Sequence, residues 1–334
     1  MNRITMAMVL MVVVAALAMA GGGTEGAKSF VLTYQQGEVS EHPQGVCMDK
    51  FAEKIEELSG GQIKVEKYYS FSLFTQEGST SAVITGDLDM SNINMQDTAK
   101  YLPAASMFAA PYIFTSYEHM EKVFGLDSDV AADFYQMVAD ACGYTPLAVV
   151  TQGSRTINTI WEKPIVKPED MKGMLLRMPN APDWIHAGQS LGAKVVPIAY
   201  TEVYTALQMG TVEGQDNPLP NTYAMKFYEV TKQISLTNHI IDAVMVCINN
   251  DVWNQMTAKQ QQWMREAAQY GGTEGSKVTY QQEAKLVDFF KDQGLMITNP
   301  DREAFQAHSF KYYTENGLTE KWDLDLYERV QAMK

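Results

Sequence analysis

Apolar positions in this chain come in short blocks whose spacing switches repeatedly between two and about 3.6 residues. Residues 30–34 read as a strand. Val46, Phe51, Ala52, Ile55 and Leu58 then fall at helical spacing, and Gly60 and Gly61 stop that helix. Ile63 and Val65 alternate as in a strand, and strand-like runs recur at residues 88–95, 147–151, 175–178 and 194–197, separated by helix-like segments. This alternation predicts an α/β protein. Thr201 is placed to cap a short helix carrying Val203, Ala206 and Leu207 on one face, with Gly210 at its end. Thr257 is placed to open a long helix reaching Phe290 through Gly271, Gly272 and Gly275. Each glycine costs about 1 kcal/mol against alanine inside a helix, so a kink is expected there.

The first twenty residues follow a different pattern. Arg3 precedes a run, residues 4–20, in which every residue except Thr5 is Met, Val, Leu, Ala or Ile, ending in Ala18-Met19-Ala20 before Gly21-Gly22-Gly23. That is a signal-peptide pattern, with cleavage expected near Ala20 and residues 1–26 forming the signal and a short lead. The remainder has no later run long and apolar enough to span a bilayer, and at about 300 residues it is large enough for two domains. The formal net charge of −14 argues against nucleic acid or an anionic membrane as the main partner, so an anionic ligand would need local positive charge. Cys47, Cys142 and Cys247 stand in apolar or small-residue surroundings without metal or redox spacing and read as core fillers, with one disulfide left open.

Catalytic and cofactor motifs fail one by one. Gly21 to Gly26 formally fits G-x-G-x-x-G, but it follows the signal run instead of a strand. His42, His119, His186, His239 and His308 show no metal-binding spacing, and neither G-x-S-x-G nor a phosphate loop occurs, so no cofactor, metal or catalytic residue is assigned. An exported hydrolase or lyase acting on an organic acid stays as an alternative, resting only on scattered histidines and carboxylates.

Two arginines follow or close strand-like runs: Arg155, after residues 147–151, and Arg177, in Leu175–Met178. Strand ends face ligands in open α/β sheets, and a guanidinium grips a carboxylate with two parallel hydrogen bonds. Either arginine could instead pair with one of the forty acidic side chains. Residues 213–218 read as a polar turn in which Asn217 offers donor and acceptor, and Tyr200 could line a ligand or pack in a core.

Arg177-Met-Pro-Asn-Ala, Leu191-Gly192-Ala193, Glu202-Val-Tyr204, Ala206-Leu-Gln208-Met-Gly210 and Val212-Glu-Gly214-Gln-Asp-Asn217-Pro218 together resemble the DctP-type solute receptors of TRAP (tripartite ATP-independent periplasmic) transporters. The likeness continues through residues 226–230 and 237–239, and upstream through residues 51–53, 86–89 and Pro111-Tyr112. It implies a two-domain periplasmic-binding-protein (class II-like) fold with a ligand cleft between domains and a long helix crossing both. Domain I would take residues 28–152 plus 243–282, and domain II residues 153–242 plus 283–334. The implied function is a monomeric periplasmic receptor that closes on a small carboxylate, an organic or sugar acid, and delivers it to membrane permease subunits. A receptor feeding a sensor kinase is the alternative on the same fold. In such receptors the strand arginine before Pro-Asn grips the ligand carboxylate, which falls on Arg177. Arg155 matches an assisting arginine, Asn217 an asparagine on the same carboxylate, and Tyr200 an aromatic lining the cleft. Domain I would add Asn94, at a position acidic in sialic-acid receptors, the loop around Gln76 and Glu77, and the turn at His42.

Overall fold

One strand ties the molecule together. Among the residues described by the computed structural model, 28–125 and 127–334, ten strands occur. They are β1 (Phe30–Gln35), β2 (Ile63–Tyr68), β3 (Met90–Asn94), β4 (Tyr144–Thr159), β5 (Leu175–Met178), β6 (Lys194–Pro197), β7 (Gly214–Pro218), β8 (Gln233–Ser235), β9 (Ile241–Asn249) and β10 (Met296–Thr298). Their order is β2-β1-β3-β9-β4-β7-β5-β6, with β8 joining β4 to β10. The parallel pairs β1–β3, β5–β6, β5–β7 and β8–β10 are mixed with antiparallel pairs of β9 on β3 and of β9, β7 and β8 on β4. The expected α/β class is what the chain forms, and residues 31–334 make up one unit.

The sheet has two halves because β4 changes partners along its length. Up to Ser154 it pairs with β9, and from Arg155 onward with β7, the last three residues also with β8. The register slips between Thr151 and Gly153, and Gly153 has φ +124°, a conformation that L side chains rarely adopt. Glu283 fastens this irregular point: its Oε1 accepts from Ser154 N at 2.8 Å and its Oε2 from Tyr117 Oη at 2.6 Å. Arg155 therefore lies inside a continuous strand, not past the end of one, and residues 214–218 are the buried strand β7, not the expected polar turn. A polar sequence holds as a strand there because β4 pairs with it along its whole length and β5 with its first two residues.

Each half has its own core. Phe108, Phe114, Phe124 and Phe134 cluster beneath the first half, while Leu176, Met178, Trp184 and Phe305 fill the second. Leu318, Trp322, Leu326 and Val330, in the C-terminal remainder expected with the second domain, pack into the first half's aromatic core. Cys47, Cys142 and Cys247 are buried and unpaired, in keeping with core filling. No helix among the described residues is long and apolar enough to cross a membrane. The signal-like run and Gly21 to Gly26 lie outside the described residues.

The helix Ala258–Asp292 begins with Thr257 at its N-cap in a reciprocal capping box with Gln260, and it runs unbroken through its three glycines. Those glycines serve close packing instead of a break. A Cβ would stand 2.5 Å from the Cys47 carbonyl oxygen at Gly271, 2.3 Å from that of Val149 at Gly272 and 2.5 Å from that of Pro43 at Gly275. The helix thereby lies directly on the helix Pro43–Ser59 and on β4, and its far end, Leu286 and Phe290, packs with Leu219 and Ile234. The short helix Val203–Gln208 follows a 3-10 turn, Tyr200–Glu202, so Thr201 sits inside that turn and does not cap the helix.

Gly272→Ala should therefore destabilise the protein although alanine favours a helix by about 1 kcal/mol. Overpacking against the Val149 carbonyl is expected to cost about 1–3 kcal/mol, read as a lower urea midpoint at unchanged m-value.

Candidate functional site

A narrow polar cavity of about 40 Å³ opens where the two halves of the sheet face each other. β3 contributes Asn92 and Asn94, two positions apart and hence on one face, and β4 contributes Gln152 and Arg155. β5 brings Arg177, β7 brings Asn217, and Tyr200, Trp184, Asn221, Glu38 and Gln44 complete most of the wall. Phe71 closes one side with φ +50°, a strained backbone for a bulky residue, held at the cavity itself.

The two arginines occupy opposite electrostatic situations. Arg155 is saturated: Nε donates to Asp216 Oδ2 at 2.7 Å, NH2 to Asp216 Oδ1 at 2.9 Å and to the Asp216 carbonyl at 2.7 Å, and NH1 to Asp242 Oδ2 at 2.5 Å. Its guanidinium also stacks 4.3 Å from the Trp184 ring centroid. Asp216 can reach because β4 and β7 pair Arg155 with Pro218, which puts Asp216 on the diagonal of the same face. Burial pushes the Asp216 carboxyl up, but the Arg155 charge and His239, whose Nε2 is 3.1 Å from Oδ2, outweigh it and hold it below the usual carboxylate range. Asp242, buried with Oδ1 unpartnered, is pushed up by burial despite Arg155. Internal pairing, left open by the sequence, is thus what Arg155 does.

Arg177 does not pair. It is 1% exposed, and among the described residues no carboxylate forms an ion pair with it. Nε donates to the Ile198 carbonyl at 2.8 Å, while NH2 is buried without a hydrogen-bond partner. Burial lowers its pKa to about 10, so it remains a cation at neutral pH. A fixed guanidinium with an unused edge in a cavity is a binding group for a planar anion.

The structure brings Arg177, Arg155, Asn217, Tyr200, Asn94 and Gln76 to one wall. Asn217 donates through Nδ2 to Gln215 Oε1 at 2.6 Å, and Gln76 Nε2 donates to Asp97 Oδ2 at 3.0 Å. Glu77 is exposed and lines not this cavity but an adjoining one, which shares Phe71, Gln76, Arg177, Pro179 and Tyr200 with it. His42 is not on the cavity wall: it is the N-cap of Pro43–Ser59, its Nδ1 accepts from Gln44 N at 3.3 Å, and burial lowers its pKa to about 3. The sequence reading missed Glu38, Gln44, Asn92, Gln152, Trp184 and Asn221. Only Asn92 carried a local signal, the Asn-Ile-Asn alternation ending β3. Gln44 ties β3 to β4 within the first half, donating to Gln152 Oε1 at 2.5 Å and accepting from Asn92 Nδ2 at 2.9 Å.

A two-half α/β sheet with an arginine-bearing cleft between the halves defines the class of two-domain solute receptors. The model for bacterial extracellular solute-binding proteins, family 7 (DctP), matches residues 36–318, and the chain belongs to this family. It is 33% identical over 266 residues, 79% of this chain and 81% of the relative, to the sialic acid-binding periplasmic protein SiaP of Vibrio cholerae. A TRAP periplasmic solute-binding protein of Roseobacter denitrificans, solved with bound 3-deoxy-D-manno-oct-2-ulosonic acid, superposes with a TM-score of 0.86 at 32% identity, covering 92% of this chain and all of that one. Another from the same organism, solved with β-D-glucuronate, gives 0.83 at 28% identity over 91% of this chain and all of that one.

The contrast between the arginines is measurable without any ligand. Arg177→Met should raise the stability of the unliganded protein by about 1 kcal/mol or more, because it removes an unpaired buried charge. Arg155→Met should lower stability by about 3–5 kcal/mol, because it strands Asp216 and Asp242. Chemical denaturation of both variants checks the opposite signs.

Proposed function

We propose that the protein is an extracytoplasmic receptor that binds a small organic or sugar acid, without chemical turnover, and hands it to the membrane permease of a TRAP transporter. The observation that carries this reading is Arg177, a buried cation with an unused hydrogen-bonding edge in a cavity walled by amides. Its free edge takes the ligand carboxylate, and Asn217 and the paired Arg155 line the same site. Tyr200 offers an apolar face to the ligand's carbon skeleton, its ring 5.8 Å from the Arg177 guanidinium. The relatives support the ligand class: one is named for sialic acid, another for 2,3-diketo-L-gulonate, and related structures hold octulosonate or glucuronate. Asn94, where the family resemblance implies an acidic residue in sialic-acid receptors, argues for an acid other than sialic acid.

The domains we propose are residues 28–152 plus 243–282 and residues 153–242 plus 283–317, with 318–334 returning to the first. The exchange of partners by β4 near Gly153 and the C-terminal packing into the first core support these limits. Rotation about β4 and the long helix would open and close the cleft, with Gly153 and its Glu283 fastening as the bending point.

A thermal-shift screen over sugar acids, hydroxy acids, keto acids and dicarboxylates, followed by calorimetry and recovery of the bound acid, tests the reading. A ligand at 100 times its dissociation constant should stabilise the protein by about 2.7 kcal/mol. Arg177→Ala should weaken binding by about 2–5 kcal/mol. Silence of the whole panel, unchanged affinity in the variant, or a chemically altered acid would each overturn it.

A further inference from the structure

Arg155 is committed to Asp216 and Asp242, and a further buried carboxyl, on the cavity wall itself, forms no ion pair among the described residues. Glu38 is 4% exposed and lines the cavity. Its backbone is fixed from three directions: Glu38 N donates to Gln36 Oε1 at 2.5 Å, while Gln36 Nε2 and Ser70 N donate to its carbonyl at 2.7 and 3.2 Å. Gly37 beside it has no room for a side chain, since a Cβ would meet the Phe71 ring at 2.4 Å. The carboxyl thus held reaches across the cleft, where Oε1 accepts from Asn221 Nδ2 at 2.7 Å and the Tyr200 hydroxyl lies alongside. Both neighbours are neutral, and among the described residues no lysine, arginine or histidine forms an ion pair with it.

We propose that Glu38 sets the specificity of the cleft, its carboxyl taking a hydroxyl group of the ligand and restricting the receptor to acids with a single carboxylate. The inference rests on the reading that Arg177 takes the ligand's carboxylate. Tyr200 relates the two groups: the Arg177 guanidinium lies 5.8 Å from its ring centroid, and its hydroxyl adjoins Glu38. A ligand anchored at Arg177 and lying along Tyr200 therefore brings its far end to a carboxyl. A hydroxyl there can donate to the ionised Glu38 carboxylate and can accept from its protonated form. A second ligand carboxylate can be taken only if a proton stays between the two acids.

That requirement gives the selectivity a pH dependence of known sign. Burial pushes Glu38 up to about 8, against the hydrogen bonds of Tyr200 and Asn221, with the Asp242 charge adding to the rise. Of the other groups around it, Tyr200 is pushed up by burial and His42 lowered by burial to about 3, so both stay uncharged between pH 6 and pH 9. As pH rises through about 8 Glu38 loses its proton, and a diacid then meets like charge where a monoacid does not.

Calorimetry on matched pairs tests this: D-glucuronate against D-glucarate, and D-galactonate against galactarate, at pH 6 and pH 9, with the wild type and Glu38→Gln. Ligand carboxyls are ionised across this range. The monoacids should bind about tenfold or more tightly than their diacids at pH 9, with the ratio narrowing at pH 6. Glu38→Gln should make the ratio small and independent of pH, and the unliganded melting temperature of that variant confirms that it is folded. Diacids binding as tightly as monoacids at pH 9, or a pH-dependent ratio surviving in Glu38→Gln, would overturn the role of Glu38. If acids then still bind and Arg177→Ala abolishes binding, the carboxylate-receptor reading stands without it. If no acid binds, or Arg177→Ala is silent, that reading falls and this inference falls with it.

Discussion

The cluster of Arg155 with Asp216 and Asp242 is the interaction on which the site depends. It sits at the residue where β4 leaves β9 for β7, so one guanidinium draws together carboxylates from β7 and β9 across the junction of the two halves. Its second consequence is what it denies to Arg177. Asp216 is the acidic side chain whose charge acts on Arg177, yet both its oxygens are already committed to Arg155. Arg177 is left charged, buried and incompletely bonded. Such a group costs stability in the free protein and gains it back when an anion arrives, which is the physical meaning of a binding site.

The rest of the architecture holds that cluster in place while leaving the halves joined by few elements. β4 and the helix Ala258–Asp292 run through both, and the glycines of the helix let its backbone rest against Cys47, Pro43 and Val149. This close approach explains why residues with poor helix propensity are tolerated: packing of the two main chains outweighs a cost of about 1 kcal/mol at each position. Glu283, projecting from the same helix, fastens the register slip of β4 beside Gly153. The rigid parts of the cleft wall are thus set by the same two elements that link the halves.

The electrostatic logic also reconciles an acidic protein with an anionic ligand. The chain carries a net charge of −14, while the cavity concentrates two guanidiniums and a set of amides in one place. Within it the acids are ordered by their partners. Asp216, bonded to Arg155 and His239, is held as a carboxylate, and Glu38, bonded only to neutral groups, is pushed toward its protonated form.

Some of this is written in short stretches of sequence. Alternation and helical spacing identify β1, β5, β6 and the helix Pro43–Ser59, and Thr257 marks the start of the long helix, because caps and amphipathic faces are formed by residues within a few positions of each other. The family pattern singles out Arg177. What tertiary structure alone decided involves partners distant in the chain. β9 is buried on both faces and so lacks the alternation that marks a strand, and β7 is polar because β4 and β5, not its own side chains, hold it extended. Whether Arg155 or Arg177 would be the free cation was decided by the register of β4 against β7, a property of neither segment alone. His42 caps the helix Pro43–Ser59 just behind the cavity wall, beside Asn221, and Glu38 and Asn221, 183 residues apart, meet across the cleft. Local sequence encodes which elements form; the meeting of distant polar groups exists only once those elements have closed on one another.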